Sequence, residues 1–153
     1  MRVLVSPLGL SPGSLFSAIV LTKPEHVVVL TSALGQRGLE ASVAAARSRG
    51  PAFTVEAHSL ADPFAGFAEG RQLARRLAAR WRERDDLEVV ANLAGGTTAL
   101  QDAVKCLADL LGAREIAVVD RRSLEEQRQD PFVVGELVDV PPIVERNQLG
   151  EVR

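Results

Sequence analysis

Short apolar runs without polar alternation recur along this chain, and each is followed by a longer segment with helical spacing. Strands of that kind are covered on both faces, so the pattern confines the chain to a parallel sheet with crossover helices. Four such units are read: Arg2 to Val5 with a helix near Ser14 to Thr22, His26 to Thr31 with Arg37 to Arg49, Phe53 to Ser59 with a helix reaching Arg84, and Leu87 to Leu93 with a helix ended by Gly112. In the third helix Leu73, Leu77 and Trp81 recur every four residues, with arginines between them as a solvated face; in the fourth Leu100, Ala103, Val104, Leu107 and Leu111 mark one apolar side. A fifth strand, Glu115 to Asp120, precedes Ser123-Leu-Glu-Glu126, a capping-box spacing for a short helix. Phe132 to Val140 reads as an edge strand or hairpin. The expected fold class is therefore α/β: a Rossmann-like doubly wound, mainly parallel sheet with helices on both faces and a C-terminal edge strand or hairpin. Residues 1–140 form the expected domain and 141–153 an extended arm opened by Pro141-Pro142.

At 153 residues and 46% hydrophobic content, one domain with a real core is the natural expectation. A net charge of -2 gives no footprint for wrapping long DNA or RNA, and the absence of tyrosine leaves little for base-stacking platforms. The N-terminal segment lacks signal-peptide character and no apolar stretch approaches a membrane span. A single cysteine, Cys106, lies in an apolar helical pattern and suits a core position in a reducing cytoplasm. Neither a GxxxxGK[ST] loop nor a GxGxxG fingerprint is present, and two histidines with one cysteine make a poor zinc set, so no metal and no cofactor are expected. His58 with Asp62 nearby is either a general base with its orienter or a structural histidine.

In a doubly wound sheet the first and fourth strands become neighbours, and ligands bind where their loops part, beside helix N-termini with unpaired N–H groups. The loops at that switch point, Ser6 to Ser14 and Asn92 to Thr98, carry more glycine than the chain's other loops. Gly95 and Gly96 allow close backbone approach to a phosphate, and Thr97 and Thr98 offer hydroxyls; equally, the glycines make a turn and Thr97 caps the helix. Ser11 before Pro12 reads as an N-cap, as a ligand contact, or as both. Asn92 either touches ligand or ties its own loop. In the second loop Gln36 and Arg37 follow Thr31, Ser32 and Gly35, and Arg37 is either a planar donor fork for a phosphate or a base or a solvated side chain.

Together, GLSPGSLFSAI in the first loop and helix and NLAGGTTAL at the fourth resemble the CRISPR-associated Rossmann-fold (CARF) domain family, over the chain from Arg2 to about Leu111. The resemblance implies a homodimer that holds a cyclic oligoadenylate, most readily cyclic tetra-adenylate, across a twofold axis. It places contacts on Gly9, Leu10, Ser11, Gly13, Asn92, Gly95, Gly96, Thr97 and Thr98, with the Thr31 to Arg37 loop as a wall. Stand-alone members resemble metal-independent ring nucleases, in which a ribose 2′-hydroxyl attacks its own phosphate to leave a 2′,3′-cyclic phosphate; Ser11 and Thr97 would position the reacting groups here. Thr98 stands where the family often carries lysine, which leaves a non-catalytic sensor or sponge as the alternative and a domain for another nucleotide as a third. Gly96→Asp is expected to abolish ligand binding with the fold intact, as read by affinity and thermal melting.

Overall fold

The structure, a computed structural model, describes residues 1–142. Among them six strands form one sheet: β1 (Arg2–Pro7), β2 (His26–Thr31), β3 (Thr54–Ser59), β4 (Glu88–Asn92), β5 (Arg114–Val119) and β6 (Glu136–Asp139). The spatial order is β3-β2-β1-β4-β5-β6, parallel throughout except for β6, which runs antiparallel to β5. Helices α1 (Gly13–Thr22), α2 (Leu39–Arg47), α3 (Phe67–Trp81), α4 (Thr98–Leu111) and α5 (Leu124–Gln129) connect them. This is the expected α/β doubly wound fold, with the edge strand realised as β6. Of the expected arm, all but 141–142 lies outside the described residues.

Two cores sandwich the sheet. On one face Val3, Val5, Val28 and Leu30 pack beneath α3 and α4; on the other Leu4, Val27, Val29 and Ile116 pack beneath α1 and α2. Both faces of β1 and β2 are buried, which is why those strands lack alternation. The α3–α4 contact is close because Gly70 faces Ala103, and a Cβ there would sit 2.9 Å from the alanine methyl. Cys106 is half-buried against this core. The longest helix, α3, has 15 residues, and among the described residues no helix is long and apolar enough to cross a membrane.

Several boundaries differ from the sequence reading for physical reasons. Strand β1 continues through Pro7, because its pairing with β4 ends at Val5 and the next free N–H, on Leu8, turns to Leu30 of β2; the missing proline donor has nothing to pair with. The second helix is preceded by a 3-10 turn, Gly35–Gly38, since Ser32 Oγ accepts the Gly35 N–H at 3.0 Å and tightens the chain there. The capping box of α5 is formed on both sides between Ser123 and Glu126, and Gly112 ends α4 at φ +64°.

The expected solvated arginines of α3 are partly engaged: Arg71 pairs with Asp102, and Arg80 donates to both carboxylate oxygens of Glu56 at 2.6 and 3.0 Å. His26 Nε2 and His58 Nε2 each lie 2.7 Å from the same carboxylate. Of the two readings of His58, the structure shows the structural one: it bonds to Glu56, while Asp62 Oδ1 accepts the N–H groups of Phe64 and Ala65. Burial pushes the Glu56 carboxyl up, yet hydrogen bonds from Arg80, His26 and His58 and the charge of Arg80 outweigh it and hold the group at about 2, down from 4.5. A depressed carboxylate stabilises the fold above its unfolded value and loses that contribution as pH falls toward 2. Glu56→Gln should therefore lower stability at pH 7 by about 1–2 kcal/mol, a range that allows for solvent screening of the half-exposed Arg80. Denaturant melts across pH should show the gap to wild type closing between pH 4.5 and 2.

Candidate functional site

The β1–α1 and β4–α4 loops meet backbone to backbone. A Cβ on Gly9 would lie 2.9 Å from Gly96 Cα, so a side chain there would force the loops apart. Gly95 and Gly96 take φ of +86° and +74°, the left-handed region in which glycine is unstrained. Their turn is braced from within: Gln101 Nε2 donates to the Gly95 carbonyl at 2.9 Å, and Ser14 Oγ donates to the Ala94 carbonyl at 3.2 Å.

Asn92 is the hub of this bracing, and it is 0% exposed. Its amide donates to Ser6 Oγ at 3.1 Å and Ser14 Oγ at 3.2 Å, while its Oδ1 accepts the Ala94 N–H at 3.1 Å. Of the two readings of Asn92, the structure shows the one in which the side chain ties its own loop, buried beneath it. Thr97 caps α4, accepting the Leu100 N–H at 3.3 Å, and donates its own proton to the Pro63 carbonyl. Its hydroxyl proton thus points to Pro63 in the absence of ligand. The expected N-cap at Ser11 is corrected. Pro12 occupies that position in helical conformation with no side-chain cap, so Ser11 stands exposed with no side-chain partner among the described residues.

What faces solvent here is largely backbone. The first turns of α1 and α4 carry N–H groups with no intrahelical acceptor, and the Gly9–Gly96 contact brings both helix starts to one place. Thr98, exposed at the first turn of α4, adds a hydroxyl. A cavity of about 530 Å³ opens beside this point; Leu10, Ser11, Gly13 and Gly95 line it on the loop side, with Asp120, Leu124, Gln127 and Arg128 opposite. The second loop stays apart from that cavity. Ser32 is engaged in its turn, Gln36 Oε1 accepts from Ser59 at 3.4 Å, and Arg37 is exposed without an ion pair among the described residues.

The α5 wall escaped the sequence reading, although its signal was present: β5 adjoins β4, so the segment after β5 must border the switch point. Gly13 fixes the closeness, since a Cβ there would meet the Pro131 carbonyl at 2.5 Å. Within this wall hydrogen bonds and charge from Arg122 hold the Asp120 carboxyl below its usual range. Arg128 has no ion pair among the described residues and supplies a cation that Thr98 lacks. A larger groove of about 880 Å³ lies at the opposite end of the sheet, but its charges pair with each other as Lys105–Glu115 and Arg114–Asp139. Among the described residues no cluster of His, Cys, Asp and Glu is arranged to hold a metal.

Gly96→Asp is not the clean test that the sequence reading expects. A Cβ there would stand 3.0 Å from Pro7 Cβ in a left-handed backbone, so the variant strains the fold as well as the site. Asn92→Ala should cost about 2–3 kcal/mol by leaving buried partners unpaired, and Gly9→Ala about 1–3 kcal/mol by overpacking. Ser11→Ala should stay within ~0.5 kcal/mol of wild type in urea melts. Equal stability of all four proteins would refute the bracing described above.

No family model matches the chain, and no curated protein matches it in sequence. Solved structures do. Can2 from Sulfobacillus thermosulfidooxidans in complex with cyclic tetra-adenylate is 13% identical with a TM-score of 0.64, over 78% of this chain and 32% of that one. Enterococcus italicus Csm6 bound to cyclic hexa-2'-fluoro-hexa-dAMP is 16% identical with a TM-score of 0.70, over 94% and 43%. A type III CRISPR defence DNA nuclease activated by cyclic oligoadenylate is 26% identical with a TM-score of 0.61, over 76% and 18%. The chain thus spans less than half the length of each of these proteins. Strand order, loop geometry and these likenesses agree that the fold of this chain is that of the CRISPR-associated Rossmann-fold domain family.

Proposed function

We propose that this domain binds cyclic oligoadenylate, cyclic tetra-adenylate foremost, on the paired β1–α1 and β4–α4 loops of a homodimer. The observation that carries the reading is the convergence of two helix N-termini at the Gly9–Gly96 contact, which presents unpaired N–H groups to a phosphate. Two of the similar structures hold ligands of this chemistry, a tetra-adenylate and a 2′-fluoro hexamer. A ring with twofold symmetry matches an isologous dimer, so each protomer's loops meet equivalent phosphates.

We further propose slow, metal-independent cleavage. A ribose 2′-oxygen attacks the adjacent phosphorus, the 5′-oxygen departs with a proton, and the product is linear with a 2′,3′-cyclic phosphate. Ser11 Oγ, without a side-chain partner among the described residues, orients the 2′-hydroxyl, and the Gly95 and Gly96 N–H groups stabilise the phosphorane charge. A second reading, capture of the ring without cleavage, is favoured by the bond of the Thr97 hydroxyl to Pro63.

Incubation with cyclic tetra- and hexa-adenylate in EDTA, followed by chromatography, separates these outcomes. Linear products ending in cyclic phosphate, lost in Ser11→Ala and with 2′-fluoro rings, are expected. Tight retention of an intact ring would leave the sensor reading, and no binding to either ring would overturn both.

A further inference from the structure

Resting on the oligoadenylate reading, we infer that the cleft between the first turn of α1 and helix α5 is a seat for the amino-bearing base of the ligand, with Gln127 Oε1 and Asp120 accepting from the exocyclic amine. The phosphate-binding loops occupy one side of the 530 Å³ cavity, and the chemistry of the other side differs from theirs.

Two large side chains stand in water across this cleft: Leu10 at the tip of the β1–α1 loop is 77% exposed and Leu124 at the start of α5 is 70% exposed. Single exposed leucines are ordinary, but two flanking one cavity, over a floor that includes Val118, offer a planar ring apolar contact on both sides. Ser11 and Arg128 bring donors to the cleft, and Gln127 and Asp120 bring acceptors on its α5 side. Gln127 Nε2 donates to the Arg122 carbonyl at 2.9 Å and to that of Asp120 at 3.5 Å, which fixes the amide orientation and leaves Oε1 with no donor among the described residues. Asp120 keeps acceptor capacity beyond its bonds to Arg122, and its negative charge opposes a phosphate at this point. A ligand group suited to the cleft is therefore flat, uncharged and a hydrogen-bond donor. The adenine 6-amino group meets that description, with Arg128 free to donate to a ring nitrogen or the adjoining phosphate.

The test uses methyl and side-chain amide NMR of the full chain titrated with AMP and with IMP, which replaces the amine by an acceptor oxygen. AMP should shift the Leu10, Leu124 and Val118 methyls and the Gln127 amide, and IMP should need at least tenfold higher concentration for the same shifts. Leu124→Ala and Gln127→Leu should each weaken AMP about tenfold, with folding checked by unchanged methyl spectra elsewhere. Equal response to AMP and IMP, or shifts confined to other groups, would overturn the base seat. Cyclic tetra-adenylate that binds without moving these signals would also overturn the seat while sparing the ring-binding reading. AMP seated here with no affinity for any ring would spare the seat and remove that reading.

Discussion

The approach of Gly9 to Gly96 governs this molecule's functional end, because two backbones in contact leave no room for adjustment by side chains. Parallel pairing of β1 with β4 delivers both loops to one edge of the sheet, but pairing alone does not hold them together. The buried Asn92 network does, linking Ser6, Ser14 and Ala94 through one amide. Buried polar groups of this kind are costly unless every member is satisfied, and among the described residues none of the buried side-chain polar atoms lacks a partner. The loops are thus braced by their own hydrogen bonds, without help from a ligand.

Several cations find carboxylates: Arg2 with Glu88, Arg71 with Asp102, Lys105 with Glu115, Arg80 with Glu56, and Arg122 with Asp120 beside the loops. Most of these pairs are exposed and contribute little singly. At the loops the polarity comes from peptide dipoles and hydroxyls, with Arg37 and Arg128 as cations that have no ion pair among the described residues.

Much of the fold was legible because β1, β2 and β4 are doubly buried and α4 has a strict apolar stripe with a cap at each end. The pairing of the two glycine-bearing loops was legible from topology alone. The fate of individual hydroxyls was not. Thr97 and Ser11 look equally available in sequence, yet one is engaged by Pro63, a residue far away in the chain, and the other by nothing among the described residues. Likewise Asn92 carries the family motif but sits under the loop, where only the packing of Ser6 and Ser14 reveals its task. The α5 wall was missed because its helix buries no residue and so shows no apolar periodicity that could mark it.

Strand β3 has an implication for assembly. It forms one border of the sheet, and it carries Glu56, whose half-buried carboxylate bonds to His58 of the same strand and accepts from Arg80 of α3. A foreign strand laid against that border would have to approach a half-buried ionic cluster, while the opposite border, β6, offers only four residues. Lateral growth of the sheet is therefore unfavourable at both borders.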